Sequence, residues 1–254
     1  MSKINRLLIV KLSSIGDVVH TLPVSAAIKK SFPHIEITWI VEQMSAPMVM
    51  HNPYLSEVMV LPVEWRERVS VRAIKSFSKM RKDVKSRNFD MALDLQGLSK
   101  SAIVAWSSGA KYRFGYEWLR ELAPHVITKI ERRPQSIHIV DQFLDVAHFL
   151  GADVSNVEFP LVVTEEKMDA AVQKLSSLGI CADEPYIVIN PSPGGGGYKG
   201  LSADTFKDVV DALLFDPGYK IALVGSKSDA VVADEIVGHF PGKISSLCGQ
   251  TVRP

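Results

Sequence analysis

Two cysteines in 254 residues, Cys181 and Cys248, with no CxxC and no Cys/His spacing around either, supply neither a disulfide framework nor a zinc site; a reducing cytoplasm is the expected setting. An excess of either charge is also missing. Lys and Arg number 29 against 28 Asp and Glu, a formal net charge of +1, so bulk charge gives no support to nucleic-acid binding and any hold on phosphate has to come from local clusters. No apolar run approaches the ~18 residues needed to cross a bilayer, and the apolar stretch near the start is too short for a signal peptide. Contact with a membrane is therefore expected from the surface only. No DxD triplet or metal-ligand cluster occurs, and no metal is expected.

What is present is an alternation of short β-branched runs with longer helical patterns. Strands are expected at 7–11, 36–41, 57–61 and 90–95, and helices at 18–31, 71–87, 98–108 and 136–150. Such alternation gives a parallel sheet covered by helices, and the continuously apolar Leu7, Leu8, Ile9 and Val10 read as a central strand buried on both faces. The expected fold class is α/β with two Rossmann-like domains. The first occupies 1–151, ending at a glycine suited to a helix C-terminus; 152–164, with Pro160, is a linker; 165–254 restarts the pattern. In this second unit helices are expected at 165–178, 203–214 and 229–240, and strands at 186–190 and 220–224, with room for one further short strand.

Two loops carry the chemistry. Ser13-Ser14-Ile15-Gly16-Asp17 follows the buried strand, where ligands bind in open α/β sheets. Gly16 permits a tight turn and Asp17 projects into the crevice, where a carboxylate can take a proton from a sugar hydroxyl. Capping of the next helix by Asp17 explains the residue as readily. The second loop runs from Asn190 to Gly200 and contains Gly194, Gly195, Gly196, Gly197 and Lys199. Its glycines let backbone N–H groups surround a phosphate, the following helix N-terminus adds positive potential, and Lys199 adds a full charge. A plain surface loop is the alternative.

Between them, Arg68, Arg72, Lys75, Lys79 and Lys82 fall on one helical stripe opposite Ile74, Phe77, Met80 and Val84. This is either a solvated face or a surface for an anionic lipid partner. Asp94 and Gln96 end a strand and could face the first crevice, or cap locally; His138 reads as a structural or capping residue.

The segments LLIVKLSSIGDVVHTLP, FDMALDLQGLSKSA, KYRFGY, INPSPGGGGYKGLS and IALVGS, in that order, resemble glycosyltransferase family 9, the lipopolysaccharide heptosyltransferases, and within it the heptosyltransferase I branch. The resemblance implies a GT-B pair of Rossmann-like domains that transfers heptose from ADP-heptose to Kdo-modified lipid A, with inversion, without a metal or cofactor, on the cytoplasmic face of the inner membrane. It implies Asp17 as general base, Lys199 with Gly195, Gly196 and Gly197 at the donor phosphates, and Ser13, Ser14, Gly16, Arg68, Arg72, Gln96 and Arg120 on the acceptor side.

The sequence departs from the family where Gly200-Leu201-Ser202 follows the lysine in place of Arg or His and then Trp-Pro. It also ends at Pro254, ahead of an Asp-[Ser/Thr]-Gly-x-x-His motif that helps hold the nucleotide sugar, so the second, donor-binding domain is expected to be incomplete. The alternative reading is thus a non-catalytic module that holds an anionic lipid acceptor. A nicotinamide-dependent oxidoreductase is disfavoured, because the first strand leads into SSIGD rather than the glycine fingerprint.

Overall fold

The computed structural model describes residues 3–61, 71–181, 183–191, 202–215 and 219–250, with side chains in the second helix described from 75 onward. Two compact units divide the chain, Met1–Val162 and Val163–Arg253, with Pro254 counted with the first.

In the first unit, β1 (Arg6–Val10), β2 (Glu36–Glu42), β3 (Glu57–Leu61), β4 (Met91–Asp94), β5 (Tyr112–Gly115) and β6 (Thr128–Lys129) form one sheet in the order β3-β2-β1-β4-β5-β6, every pairing parallel. Helices α1 (Ile15–Ser31), α2 (Val71–Ser86), α3 (Ser99–Ser107) and α4 (Ile139–Phe149) cover it. The apolar run of β1 serves both faces by alternation. Leu7 and Ile9 join Val18, Leu22 and Ile28 of α1 and Phe143 and Leu144 of α4 in one core, while Leu8 and Val10 join Met80 and Val84 of α2 and Ala102, Val104 and Ala105 of α3 in the other. The basic stripe of α2 is amphipathic as expected where side chains are described: Met80 and Val84 are buried and Lys75, Lys79 and Lys82 exposed.

Three sequence expectations shift. Helix α1 begins at Ile15 rather than residue 18, so Gly16 and Asp17 lie in its first turn; a Cβ at Gly16 would meet nothing within 4 Å, so no tight turn demands this glycine. Helix α4 begins at Ile139 rather than residue 136, with His138 at its N-cap accepting a hydrogen bond from the Val140 N–H at 3.3 Å. Strands β5 and β6 were not expected at all; they extend the sheet beyond β4. Residues 152–158 run along this unit: Ala152 is buried, the Asp153 N–H donates to the Ser31 hydroxyl at 2.9 Å, and Glu158 accepts from Tyr54 at 2.6 Å and pairs with Lys30.

An Arg fork ties α2 to β3. The Arg87 Nε donates to Glu57 Oε2 at 2.8 Å and its Nη2 to Oε1 at 2.5 Å. These bonds outweigh desolvation and hold the Glu57 carboxyl below its usual value. A depressed carboxyl contributes stability that is present above its unfolded value and lost as pH falls through the folded one. Both side chains are more than a third or close to a third exposed, so Arg87→Met is expected to cost about 0.5–1 kcal/mol at pH 7 and clearly less near pH 3, read from urea unfolding at the two pH values. An equal loss at both would remove the ion pair from the account.

In the second unit, α5 (Glu165–Ser177) is capped by Thr164, and β7 (Tyr186–Ile189), β8 (Lys220–Leu223) and β9 (Ile244–Ser246) form a parallel sheet in the order β7-β8-β9, with α6 (Ala203–Leu214) and α7 (Ala230–His239). Its core gathers Val210, Ile221, Leu223, Ala233, Ile236, Phe240, Ile244 and Cys248. Both cysteines are free. Among the described residues no helix is long and apolar enough to cross a membrane.

Candidate active site

The chain builds β1 to β3 toward one edge of the first sheet and β4 to β6 toward the other, which places the topological switch point between β1 and β4. The loops after these two strands are stitched together. The Gln96 side-chain oxygen accepts from the Leu12 and Ser13 N–H groups, each at 3.1 Å, and the Lys11 Nζ donates to the Leu95 carbonyl at 2.9 Å. Gln96 thus holds the Asp17 loop through its carbonyl oxygen, rather than presenting that atom to a ligand.

Ser14 is the N-cap of α1 and Asp17 its third residue, in a reciprocal capping box. One carboxylate oxygen, Oδ2, takes the Ser14 N–H at 3.1 Å and the Ser14 hydroxyl at 2.8 Å. Oδ1 accepts no hydrogen bond among the described residues. Capping and proton acceptance are therefore compatible for this residue: one oxygen anchors the helix, and the cap does not use the other. Partial burial pushes the carboxyl up, but the Ser14 hydroxyl and N–H, then Lys11 and His20, outweigh it, and the net shift is downward. Asp17 is ionised at neutral pH.

Asp94, at the end of β4, lies fully buried beneath this surface. It accepts from the Gln96 and Gly97 N–H groups at 3.0 and 2.9 Å and from the Ser101 hydroxyl at 3.1 Å. Desolvation raises its carboxyl against the pull of these bonds and of Lys11. Local capping, not exposure to the crevice, is its place. Gly97 has φ +75°, and its carbonyl accepts from the Arg120 N–H at 2.8 Å, which fixes the loop after β5 at the rim of the site. Arg120 itself is exposed, within electrostatic reach of Tyr116, whose hydroxyl burial pushes up.

Sequence reasoning missed Lys11, Glu42 and Tyr116. Glu42, at the end of β2, is buried and pairs with Lys100 of α3 at 2.6 Å. For Lys11 and Glu42 the available signal was a polar group directly at the carboxyl end of a buried strand; Tyr116 follows β5, which is partly exposed and gave no such signal. Of the other expected site residues, Arg68, Gly195, Gly196, Gly197 and Lys199 lie outside the described residues, and of Arg72 only the backbone, in α2, is described. The elements that flank the glycine-rich loop are described: β7 ends at Ile189 and α6 opens behind Ser202, whose hydroxyl accepts from the Thr205 N–H at 3.2 Å.

A family model for glycosyltransferase family 9 (heptosyltransferase) matches residues 77–252, more than half of the chain. The chain belongs to glycosyltransferase family 9. Among curated proteins, this family 9 chain is 33% identical over 115 residues to lipopolysaccharide heptosyltransferase 1 of Escherichia coli O18:K1:H7, covering 44% of the chain and 35% of that protein. It is 26% identical over 169 residues to the lipopolysaccharide core heptosyltransferase OpsX of Haemophilus influenzae, covering 66% and 46% respectively. The chain thus spans less than half the length of these two relatives. Among solved structures, a family 9 glycosyltransferase from Veillonella parvula superposes with a TM-score of 0.83 at 22% identity, over 97% of this chain and 70% of that one. E. coli heptosyltransferase WaaC, solved with ADP-2-deoxy-2-fluoro heptose, gives 0.72 at 24% identity, over 95% and 76%. At these identities the likeness is one of fold, the GT-B type of α/β architecture.

Proposed function

We propose that the protein transfers heptose from ADP-heptose to Kdo-modified lipid A during assembly of the lipopolysaccharide inner core, with inversion and without a metal. The observation that carries this reading is the geometry of Asp17: an ionised carboxylate at the switch point, pinned through Oδ2 and open at Oδ1. Family membership and curated relatives named as lipopolysaccharide heptosyltransferases support the substrate class.

In the proposed reaction an acceptor hydroxyl attacks the anomeric carbon as the bond to the diphosphate oxygen breaks. The attacking oxygen becomes strongly acidic as the new bond forms, so a carboxylate with a lowered pKa is still able to take its proton. A single displacement inverts the anomeric centre. Negative charge moves onto the departing ADP, where Lys199 and the N–H groups around Gly195, Gly196 and Gly197 receive it. Ser13, Ser14 and Gly16 border the acceptor, and Arg120 at the rim, with Arg68 and Arg72, meets its phosphates and carboxylates. The exposed Lys75, Lys79 and Lys82 suit the anionic headgroups of the cytoplasmic leaflet, and the protein works as a peripheral one there.

The donor half is tested by calorimetric titration with ADP. Lys199→Ala is expected to weaken ADP binding by about tenfold or more, the value of one charge-assisted contact to phosphate, and to slow transfer as well. Unchanged ADP affinity would remove the loop from the donor site.

A further inference from the structure

Lys11 directly follows the apolar run Leu7 to Val10 of β1 and is only 2% exposed. Its side chain follows Leu7 and Ile9 to the face covered by α1 and α4, where Nζ lies 4.6 Å from the centre of the Phe143 ring and donates to the Leu95 carbonyl. Its own carbonyl accepts from the Trp39 indole at 3.1 Å, so the strand end is held from both directions. Burying an ammonium is costly unless it is compensated, and an aliphatic side chain would follow this strand without that cost. The charges that compensate it are Asp17 and Asp94, the first of which is the proposed proton acceptor.

We propose that Lys11 is a positioning residue for transfer: its buried ammonium ties the loop after β4 to the loop that bears Asp17, so the proton acceptor is held less firmly and transfer slows when Lys11 loses its proton. The inference rests on the reading of Asp17 as general base. The neighbouring groups are consistent with it. From α1 come Asp17 and His20, from β4 Asp94, and from the loop after β5 Tyr116, which senses both carboxylates; α4 contributes the Phe143 ring and, at its N-cap, His138, whose ring meets that of His20 at 5.8 Å; β2 contributes Trp39 and ends at Glu42, paired with Lys100.

Burial brings the Lys11 pKa down to about 8 against the attraction of Asp17 and then Asp94. Turnover is then expected to fall as pH rises through about 8. Stability moves the other way. A lysine whose folded pKa is depressed makes the unfolded chain the better proton binder between about 8 and its unperturbed value near 10.4, so the fold gains stability over that interval. Loss of turnover without loss of fold separates this device from alkaline unfolding.

The test combines Lys11→Met with carbon-13 NMR of the Asp17 carboxyl, assigned through Asp17→Asn, and with pH–rate profiles for heptose transfer. In Lys11→Met the Asp17 titration is expected to move to higher pH, turnover below pH 8 to fall by at least about tenfold with donor KM unchanged, and the alkaline limb to vanish. An unmoved Asp17 titration, or an alkaline limb that persists, overturns the proposal. Phe143→Leu, which retains the ammonium but removes the ring, covers the case in which the methionine variant does not fold: the limb is expected at lower pH, and an unmoved limb counts against Lys11. The carboxyl titration is read without turnover, so failure of the base assignment, seen as full activity in Asp17→Asn, is distinguishable from failure of this one.

Discussion

Asp17→Asn is expected to lower heptose transfer by about 10²–10⁴-fold while donor affinity stays within about a few-fold, the range for losing a positioned general base. Asparagine has nearly the same shape and its carbonyl oxygen still accepts the Ser14 N–H, so the first turn of α1 survives; the amide nitrogen that then replaces the second oxygen cannot take a proton. Stability is expected to change by about 1 kcal/mol at most, the usual size of a capping effect. The Asp17 carboxyl is depressed in the fold, so wild-type activity is expected to persist into mild acid and to fall only as pH drops through that lowered value. Rates from ADP release and donor affinity from calorimetry give the two numbers. A variant that keeps turnover within a few-fold of wild type would make Asp17 a helix cap and nothing more.

Gly97→Ala is expected to be the most damaging small substitution near the site, at about 3 kcal/mol and about 10 °C in Tm. The residue sits at φ +75°, and a Cβ would come within 2.6 Å of the Trp118 carbonyl oxygen and 3.2 Å of the Tyr116 ring. A backbone atom cannot move aside as a flexible side chain does. The same residue donates its N–H to Asp94 and accepts the Arg120 N–H, so displacement passes to the loop after β5 and, through Gln96, to Leu12 and Ser13. Thermal unfolding followed by near-ultraviolet circular dichroism reads the first effect. A variant within about 0.5 kcal/mol of wild type would contradict the close approach described here.

The sheet of the first unit was legible because β1, β2 and β4 are long or continuously apolar and bury both faces. β5 and β6 were not. Tyr112 is exposed, Arg113 turns its guanidinium to the carbonyls of Ala110 and Val126, and β6 has two exposed residues, so the outer edge offers no periodic apolar signal to read. The start of α1 was misplaced because Gly16 reads as a breaker, although Ser14-x-x-Asp17 already carried the capping-box spacing. At the site, Asp17 and Gln96 were singled out by their places after buried strands and Arg120 only through the family resemblance, and the contacts each makes were not legible. Which oxygen of Asp17 caps follows from the placement of Ser14 three positions away, and that Gln96 ties one loop to the other follows from contacts between residues more than 80 positions apart. Lys11 was hidden by its strand: a charge at the end of LLIV looks like a boundary until burial shows what surrounds it.

The central claim is tested most directly by incubating the protein with ADP-heptose and Kdo-modified lipid A and following both by mass spectrometry. The account predicts one heptose added to the acceptor for each ADP released, with the product absent when Asp17→Asn replaces the wild type. Release of ADP with no change in acceptor mass, or no reaction in well-folded protein that binds the acceptor, would contradict it.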